Sequence, residues 1–243
     1  MRFTRVATCI VLAAAPMAYA DAPRNWSGEA EVGVLITSGN TEETKVNSRL
    51  AAKHEVERWR NQAEFRSLYS EAGDNTTAER YRAIAETDYK FTDRQFWFVR
   101  GSYDNDRFTG FDFQSSVTTG YGNRVWEHGD RSFVDLTIGL GYRYDRLKVA
   151  NEDGRRTEED LIARLAGQFD YELSETALFR QKLSTEVGLD DGNTVSESET
   201  AVQATLVGSL SMKASYRVKH VSDVPEGFKK TDTEVALSLL YGF

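Results

Sequence analysis

The chain has 243 residues, and its 38 acidic residues outnumber its 30 lysines and arginines, which gives a formal net charge of -8. A nucleic-acid-binding protein normally carries a basic patch, so this balance argues against a nucleic-acid partner. No interior run of about 18 apolar residues occurs, so no transmembrane helix is predicted after the N-terminus. The chain has only three prolines and no Ser/Gly-rich linker, so nothing indicates a domain boundary. Residues 21–243 are therefore predicted to form one domain.

Residues 1–20 have the composition of a cleaved secretory signal. A positive start is followed by a short apolar run at residues 6–15 and then by a small-x-small pattern that signal peptidase cleaves. The residues that define this cleavage site are Ala18, Ala20 and Asp21. Cys9 is the only cysteine and lies within the signal. The mature chain is therefore predicted to lack disulfides, thiol nucleophiles and cysteine metal ligands.

Apolar and polar residues alternate along most of the remaining chain, which is the period of a β-strand. In the segment 132–146, for example, Leu136, Ile138 and Leu140 share one face, and Asp135 and Arg143 share the other. Twelve such segments are predicted, at 26–37, 43–55, 61–71, 79–91, 95–107, 112–125, 132–146, 157–172, 177–190, 197–210, 212–222 and 231–243.

The length of these segments distinguishes a membrane barrel from a soluble sandwich. Strands of soluble proteins usually have about 5–6 residues, whereas a tilted strand that crosses a bilayer needs about 9–11. Longer connections also alternate with tight ones, as in outer-membrane barrels. The predicted fold is all-β: a closed antiparallel transmembrane β-barrel of about 12 strands with up-and-down topology.

Charged residues of both signs share the face that would line the lumen. Barrels of about eight strands are filled by side chains and those of 16–18 strands leave a water channel, so a barrel of twelve lies between. These charges therefore either line a narrow pore or close it. The predicted lumen charges are Arg49, Arg66, Arg82, Arg100, Arg143, Arg164, Arg180, Arg217, Glu64, Glu86, Asp135 and Asp170.

The two ends of the mature chain carry a family resemblance. The patterns Trp26-x-Gly28, Gly33-x-x-x-Thr37-Ser38-Gly39-Asn40-Thr41 and Leu240-Tyr241-Gly242-Phe243 resemble the salt-induced outer-membrane protein family of Gram-negative bacteria, a family of unknown function. The last strand also resembles the C-terminal signal that the outer-membrane assembly machinery recognises. The residues of that signal are Val235, Leu237, Leu239, Tyr241 and Phe243.

The resemblance implies a location and partners but supplies no mechanism. It implies an outer-membrane protein of a Gram-negative bacterium, surrounded by outer-membrane lipid and lipopolysaccharide and inserted by the assembly machinery. It leaves the oligomeric state open.

The search for catalytic chemistry finds only weak patterns. His220 with Asp190, Asp191 or Asp223 is the one group that could serve an outer-membrane hydrolase, because such enzymes need a histidine beside polar partners. The turn at 190–193 has the oxygen ligands that calcium prefers, but it lacks the full twelve-residue ligand series. No catalytic residue, cofactor or metal site is therefore predicted.

Three functions remain open at this stage. The first is a narrow channel for ions or small solutes, whose link to salt or osmotic response comes only from the family name. The second is a closed barrel with a structural or envelope-interaction role and no transport. The third and weaker one is an outer-membrane hydrolase, and a soluble lipocalin-like carrier is weaker still.

Overall fold

The computed structural model describes residues 25–37, 43–72, 75–150, 154–190, 192–225 and 227–243. The predicted cleavage site at Ala18, Ala20 and Asp21 lies outside the described residues. The predicted turn at 38–41 and Asp191 also lie outside them. No helix in the described part of the chain has the length and apolar content that crossing a bilayer requires.

Twelve strands form one closed ring, in which each strand pairs antiparallel with its neighbour in sequence and the first pairs with the last. The prediction of a closed up-and-down barrel of about twelve strands is confirmed. The strands are β1 Trp26–Thr37, β2 Glu43–Glu55, β3 Trp59–Ala72, β4 Asn75–Lys90, β5 Gln95–Asp106, β6 Phe111–His128, β7 Ser132–Leu147, β8 Thr157–Ser174, β9 Ala177–Gly188, β10 Thr194–Val207, β11 Leu210–Val221 and β12 Thr231–Gly242.

Three strands, β4, β6 and β10, have at least one boundary that differs from the prediction by more than two residues. Strand β6 ends at His128 instead of residue 125. Strand β10 runs from Thr194 to Val207 instead of 197–210, because Gly208 adopts a φ of 54° and starts the tight turn that precedes β11. Strand β4 begins at Asn75 instead of residue 79. Its polar first residues continue the ladder with β3, which the hydrophobic pattern could not show.

The outer face of the barrel is apolar and exposed. Leu140 is 62% exposed, Val117 is 61% exposed and Val235 is 74% exposed, whereas the inner-face neighbours Arg143 and Thr118 are buried. A surface of this kind in a soluble protein would be an unusually large apolar patch. A bilayer accounts for this surface, since hydrocarbon contacts the outer face while each strand of the closed ring pairs with a neighbour on both sides.

The two ends of the barrel differ in their connections. We call the end with the tight connections after β2, β4, β6, β8 and β10 the turn end, and the opposite end the loop end. The longest loops, 148–156 and 222–230, are at the loop end. Aromatic side chains lie on the outer face near both ends, for example Trp59 against Tyr89 at the turn end and Tyr103 against Phe113 at the loop end. Such belts are typical of the two interfaces of a membrane.

The ring closes between β1 and β12 through a short ladder that runs from Glu29–Gly242 to Val32–Leu239. The C-terminal residue extends it, because Gly28 N donates to Phe243 O at 2.8 Å and Phe243 N donates to Gly28 O at 3.0 Å. The Phe243 ring covers Gly28, where a Cβ atom would lie 2.3 Å from the ring. Inside the barrel, Ser238 Oγ donates to Glu31 Oε1 at 2.6 Å across the same seam.

Candidate functional site

The inner face of the barrel is the most strongly charged region of the molecule. Its buried charged residues include Arg100, Arg143, Arg164 and Arg217. All twelve predicted lumen charges lie on this face, and they are Arg49, Arg66, Arg82, Arg100, Arg143, Arg164, Arg180, Arg217, Glu64, Glu86, Asp135 and Asp170. What the sequence left open is how they pair.

An ion pair crosses the full width of the lumen. Arg82 Nη1 on β4 lies 2.7 Å from Glu197 Oε1 on β10, and these strands occupy opposite sides of the ring. Arg217 Nη2 on β11 approaches the other oxygen of Glu197 at 3.3 Å. Glu197 therefore holds two arginines, one from each side of the lumen. Removing one partner of such a buried group leaves an uncompensated charge, which is strongly destabilising.

Two further bridges cross the lumen near this one. Lys219 Nζ on β11 lies 3.1 Å from Asp104 Oδ2 on β5, again from opposite sides of the ring. Arg66 Nη1 on β3 lies 2.7 Å from Glu199 Oε2 on β10. The remaining predicted charges pair with residues on strands that are nearer in the ring, as Arg180 does with Asp170 on the adjacent strand. The cross-lumen bridges together obstruct the lumen at its middle.

A small polar chamber of about 50 Å³ lies beside these bridges. The ion pairs around it are loose, since Arg100 lies 3.8 Å from Glu86 and 3.9 Å from Glu186. Arg143 Nη1 and Arg164 Nε have no hydrogen-bond partner among the described residues. Ion pairs at such distances are commonly bridged by water, and about three or four waters fit this volume.

Two buried phenylalanines lie inside the lumen at the turn end, which the sequence did not lead us to expect. Phe96 and Phe98 point inward from β5 and are 5% and 1% exposed. Phe96 covers Gly122 and Phe98 covers Gly139, where a Cβ atom would lie 2.2 Å and 2.9 Å from the respective rings. The guanidinium of Arg60 stacks over the Phe96 ring at 4.6 Å. The sequence signal that could have indicated this packing is a glycine, Gly122, in the strand next to the aromatic run of β5.

A second set of buried apolar side chains lies inward at the loop end. Phe111 pairs with Leu147 across β6 and β7, and both are 3% exposed, while Ile162 is fully buried. The loop after β11 reaches this mouth, because a Cβ atom on Gly110 would lie 2.6 Å from the Pro225 ring. Buried apolar side chains therefore lie on the inner face towards both ends of the barrel.

Among the described residues considered for hydrolysis, no contact joins His220 to Asp190 or Asp223. His220 Nδ1 lies 2.8 Å from Thr231 Oγ1 on the outer face of the barrel. The backbone N–H of Asp190 donates to Asp160, and that of Asp223 donates to Asn193. Within the ranges that the structure describes, no cluster of three or more His, Cys, Asp or Glu side chains could hold a metal ion.

The predicted assembly signal lies on the outer face of β12. Val235, Leu237, Leu239, Tyr241 and Phe243 are all exposed there, and Tyr241 stacks on Phe243 with ring centroids 6.4 Å apart. Their shared face is the one that would meet lipid or an insertion partner.

The fold and the charged lumen define an outer-membrane β-barrel. Among solved structures, the chain resembles the translocator domain of the autotransporter NalP from Neisseria meningitidis, with a TM-score of 0.50 and 14% identity over 92% of this chain and 90% of that one. It also resembles the β domain of the Bordetella autotransporter BrkA, with a TM-score of 0.43 and 12% identity over 90% of this chain and 98% of that one.

Sequence comparison supplies the family. Residues 30–243 match the family described as "Protein of unknown function, DUF481", and the chain belongs to this family. It is 26% identical over 228 residues to the uncharacterized protein YdiY of Escherichia coli (strain K12), which covers 91% of this chain and 85% of that protein.

Proposed function

We propose that the protein is a sealed barrel of the outer membrane, with its turn end in the periplasm, and that it acts through its membrane-facing wall and external loops. It passes no solute in this state. The observation that carries the proposal is the Arg82–Glu197 bridge between opposite walls of the lumen. This is the second of the three functions that the sequence left open, the closed barrel with an envelope role.

The size of the barrel explains why charges form the seal. A twelve-stranded lumen is wider than the eight-stranded lumen that ordinary side chains fill. Arginine, lysine and glutamate have long side chains, so bridges such as Arg66–Glu199 can span this width. The bridging side chains are largely buried, and the attraction between opposite charges is stronger where the local dielectric constant is low.

A narrow channel for ions or small solutes is the second candidate, and the polar chamber favours it. The loose ion pairs around Arg100, and Arg143 Nη1, which has no hydrogen-bond partner among the described residues, are what a hydrated path would use if the bridges separated. A connection with salt or osmotic response would require such opening, since salt screens exposed ion pairs much more than buried ones.

Current recordings across a planar lipid bilayer separate these two candidates. The protein is refolded in detergent, its folding is verified by heat-modifiable gel migration, and it is then inserted into the bilayer. A folded barrel that gives no discrete current steps supports the sealed state. Reproducible steps from the wild-type protein would establish the channel instead and overturn the sealed-barrel proposal.

A further inference from the structure

The membrane-facing wall is not uniformly convex. A trough of about 670 Å³ lies on the outer face across β6 to β11. One row of directly paired residues follows it from strand to strand, namely Tyr121, Ile138, Leu165, Thr185, Ser196 and His220. Six strands at a spacing of about 4.8 Å give the trough a length of roughly 24 Å.

The trough exists because the wall lacks a side chain at its centre. Gly167 lies between Leu136 and Leu183 in the second row of paired residues, so two leucines flank an empty position. The wall is also thin there. Ser184 and Glu197 border both the trough and the inner chamber, so the floor of the trough is little more than backbone.

The hydroxyl groups on the floor are already hydrogen-bonded to one another. Thr185 Oγ1 lies 3.0 Å from Ser196 Oγ, and Gln181 Nε2 donates to Ser198 Oγ at 3.0 Å. Polar groups that satisfy each other can lie beneath hydrocarbon without the cost of an unmade hydrogen bond. The floor therefore requires no polar ligand, and the leucine and isoleucine walls favour an apolar occupant.

The shape and direction of the trough suit a lipid chain better than a protein. Strands of membrane barrels tilt by about 35–45°, so a row perpendicular to them crosses the bilayer obliquely. It runs from Tyr121 in the turn-end half to His220 at the loop end. A second barrel would present a convex wall, whereas an acyl chain is thin enough to follow a concave path.

We propose that the trough binds one acyl chain of lipopolysaccharide, with the head of the lipid at the His220 end. The loop end faces the outer leaflet in the orientation proposed above, and lipopolysaccharide is the lipid of that leaflet. The exposed side of His220 supplies a polar contact where the chain meets its head group. This inference rests on the proposed function, in which the membrane-facing wall is the working surface.

The chain offers a matched pair of substitutions for the test. In Gly167→Leu, the new Cβ lies 3.1 Å from Leu136 Cδ2, the flexible end of a side chain, so the leucine fills the trough. Gly101→Leu makes the same change on the outer face of β5, where a Cβ meets nothing within 4 Å. Val218→Phe fills the trough from β11 and serves if Gly167→Leu does not fold.

The experiment is native mass spectrometry of the protein purified from outer membranes in detergent and titrated with lipid A or with phosphatidylethanolamine. We expect the wild-type protein and Gly101→Leu to retain one lipid A. Gly167→Leu should need a roughly tenfold higher concentration of lipid A to retain one molecule. The lost contact with about two methylene groups corresponds to that factor in affinity. Folding of each variant is verified by heat-modifiable migration.

The inference is overturned if the wild-type protein retains no lipid A, or if Gly167→Leu retains as much lipid A as the wild-type protein. It is also overturned if the wild-type protein retains phosphatidylethanolamine equally well, or if Gly167→Leu loses a protein dimer instead of a lipid. Failure here is distinct from failure of the proposed function. If the trough binds lipid A but the lumen is open, the wild-type barrel conducts and still retains lipid A. If the lumen is sealed but the trough does not bind lipid A, the barrel gives no current and retains no lipid A.

Discussion

Replacing Phe98 with alanine is expected to lower the free energy of unfolding by about 3–5 kcal/mol, the usual cost of truncating a buried phenylalanine. The ring is 1% exposed, its partner on β6 is Gly120, and it covers Gly139 on β7, so neither glycine has a side chain that could fill the space that the substitution leaves. The same change opens the turn end of the lumen. Urea titration of the detergent-folded protein, followed by heat-modifiable migration, measures the effect.

Phe228→Ala is the matched control for this substitution. Phe228 is 43% exposed in the loop after β11, and surface substitutions usually change stability by less than about 0.5 kcal/mol. If the two variants unfold at the same urea concentration, the apolar layer at the turn end does not stabilise the barrel and this part of the account is wrong.

Replacing Glu197 with glutamine is expected to cost about 3–5 kcal/mol, because it leaves buried arginines without their carboxylate. Glutamine has nearly the same shape as glutamate, so the effect reports charge instead of packing. The loss would separate Arg82 from the opposite wall and weaken Arg217 as well. The same urea titration measures stability, and bilayer recordings show whether the lumen then conducts.

Glu79→Gln provides the comparison for Glu197→Gln. Glu79 pairs with Arg107, whose side chain is 69% exposed at the loop end, and exposed pairs contribute little to stability. We expect no measurable change in this variant. Equal destabilisation by both substitutions would mean that the cross-lumen bridge is no stronger than a surface ion pair.

The strands and their faces were predictable because alternation carries the information locally. In β7, Leu136 and Ile138 alternate with Asp135 and Thr137, so the inner and outer faces can be assigned from the sequence. Every predicted segment overlaps an observed strand. The predicted strand boundaries were less accurate where polar residues continue the hydrogen-bonded ladder, as at the start of β4.

The sealing of the lumen could not be predicted in the same way. Phe96, Trp97, Phe98 and Val99 form a continuous apolar run, so the run itself does not distinguish the two faces; only counting in twos from the predicted lumen residue Arg100 places both phenylalanines inward. The partner of Arg82 is 115 residues away. Their meeting depends on ring closure and on the stagger of the strands, which no local pattern encodes. The trough likewise depends on the register of six strands.

Cysteine accessibility inside the lumen is the most direct test of the sealed state. The chain without residues 1–20 has no cysteine of its own, so Ser116→Cys places a single thiol beside the inner chamber, where Ser116 is 6% exposed. Asp93→Cys places one in an exposed turn as the control. A water-soluble methanethiosulfonate reagent is added to the folded protein. If the lumen is sealed, Asp93→Cys is labelled in the folded protein and Ser116→Cys is labelled only after unfolding. Labelling of folded Ser116→Cys at the rate of Asp93→Cys would show that the lumen is open.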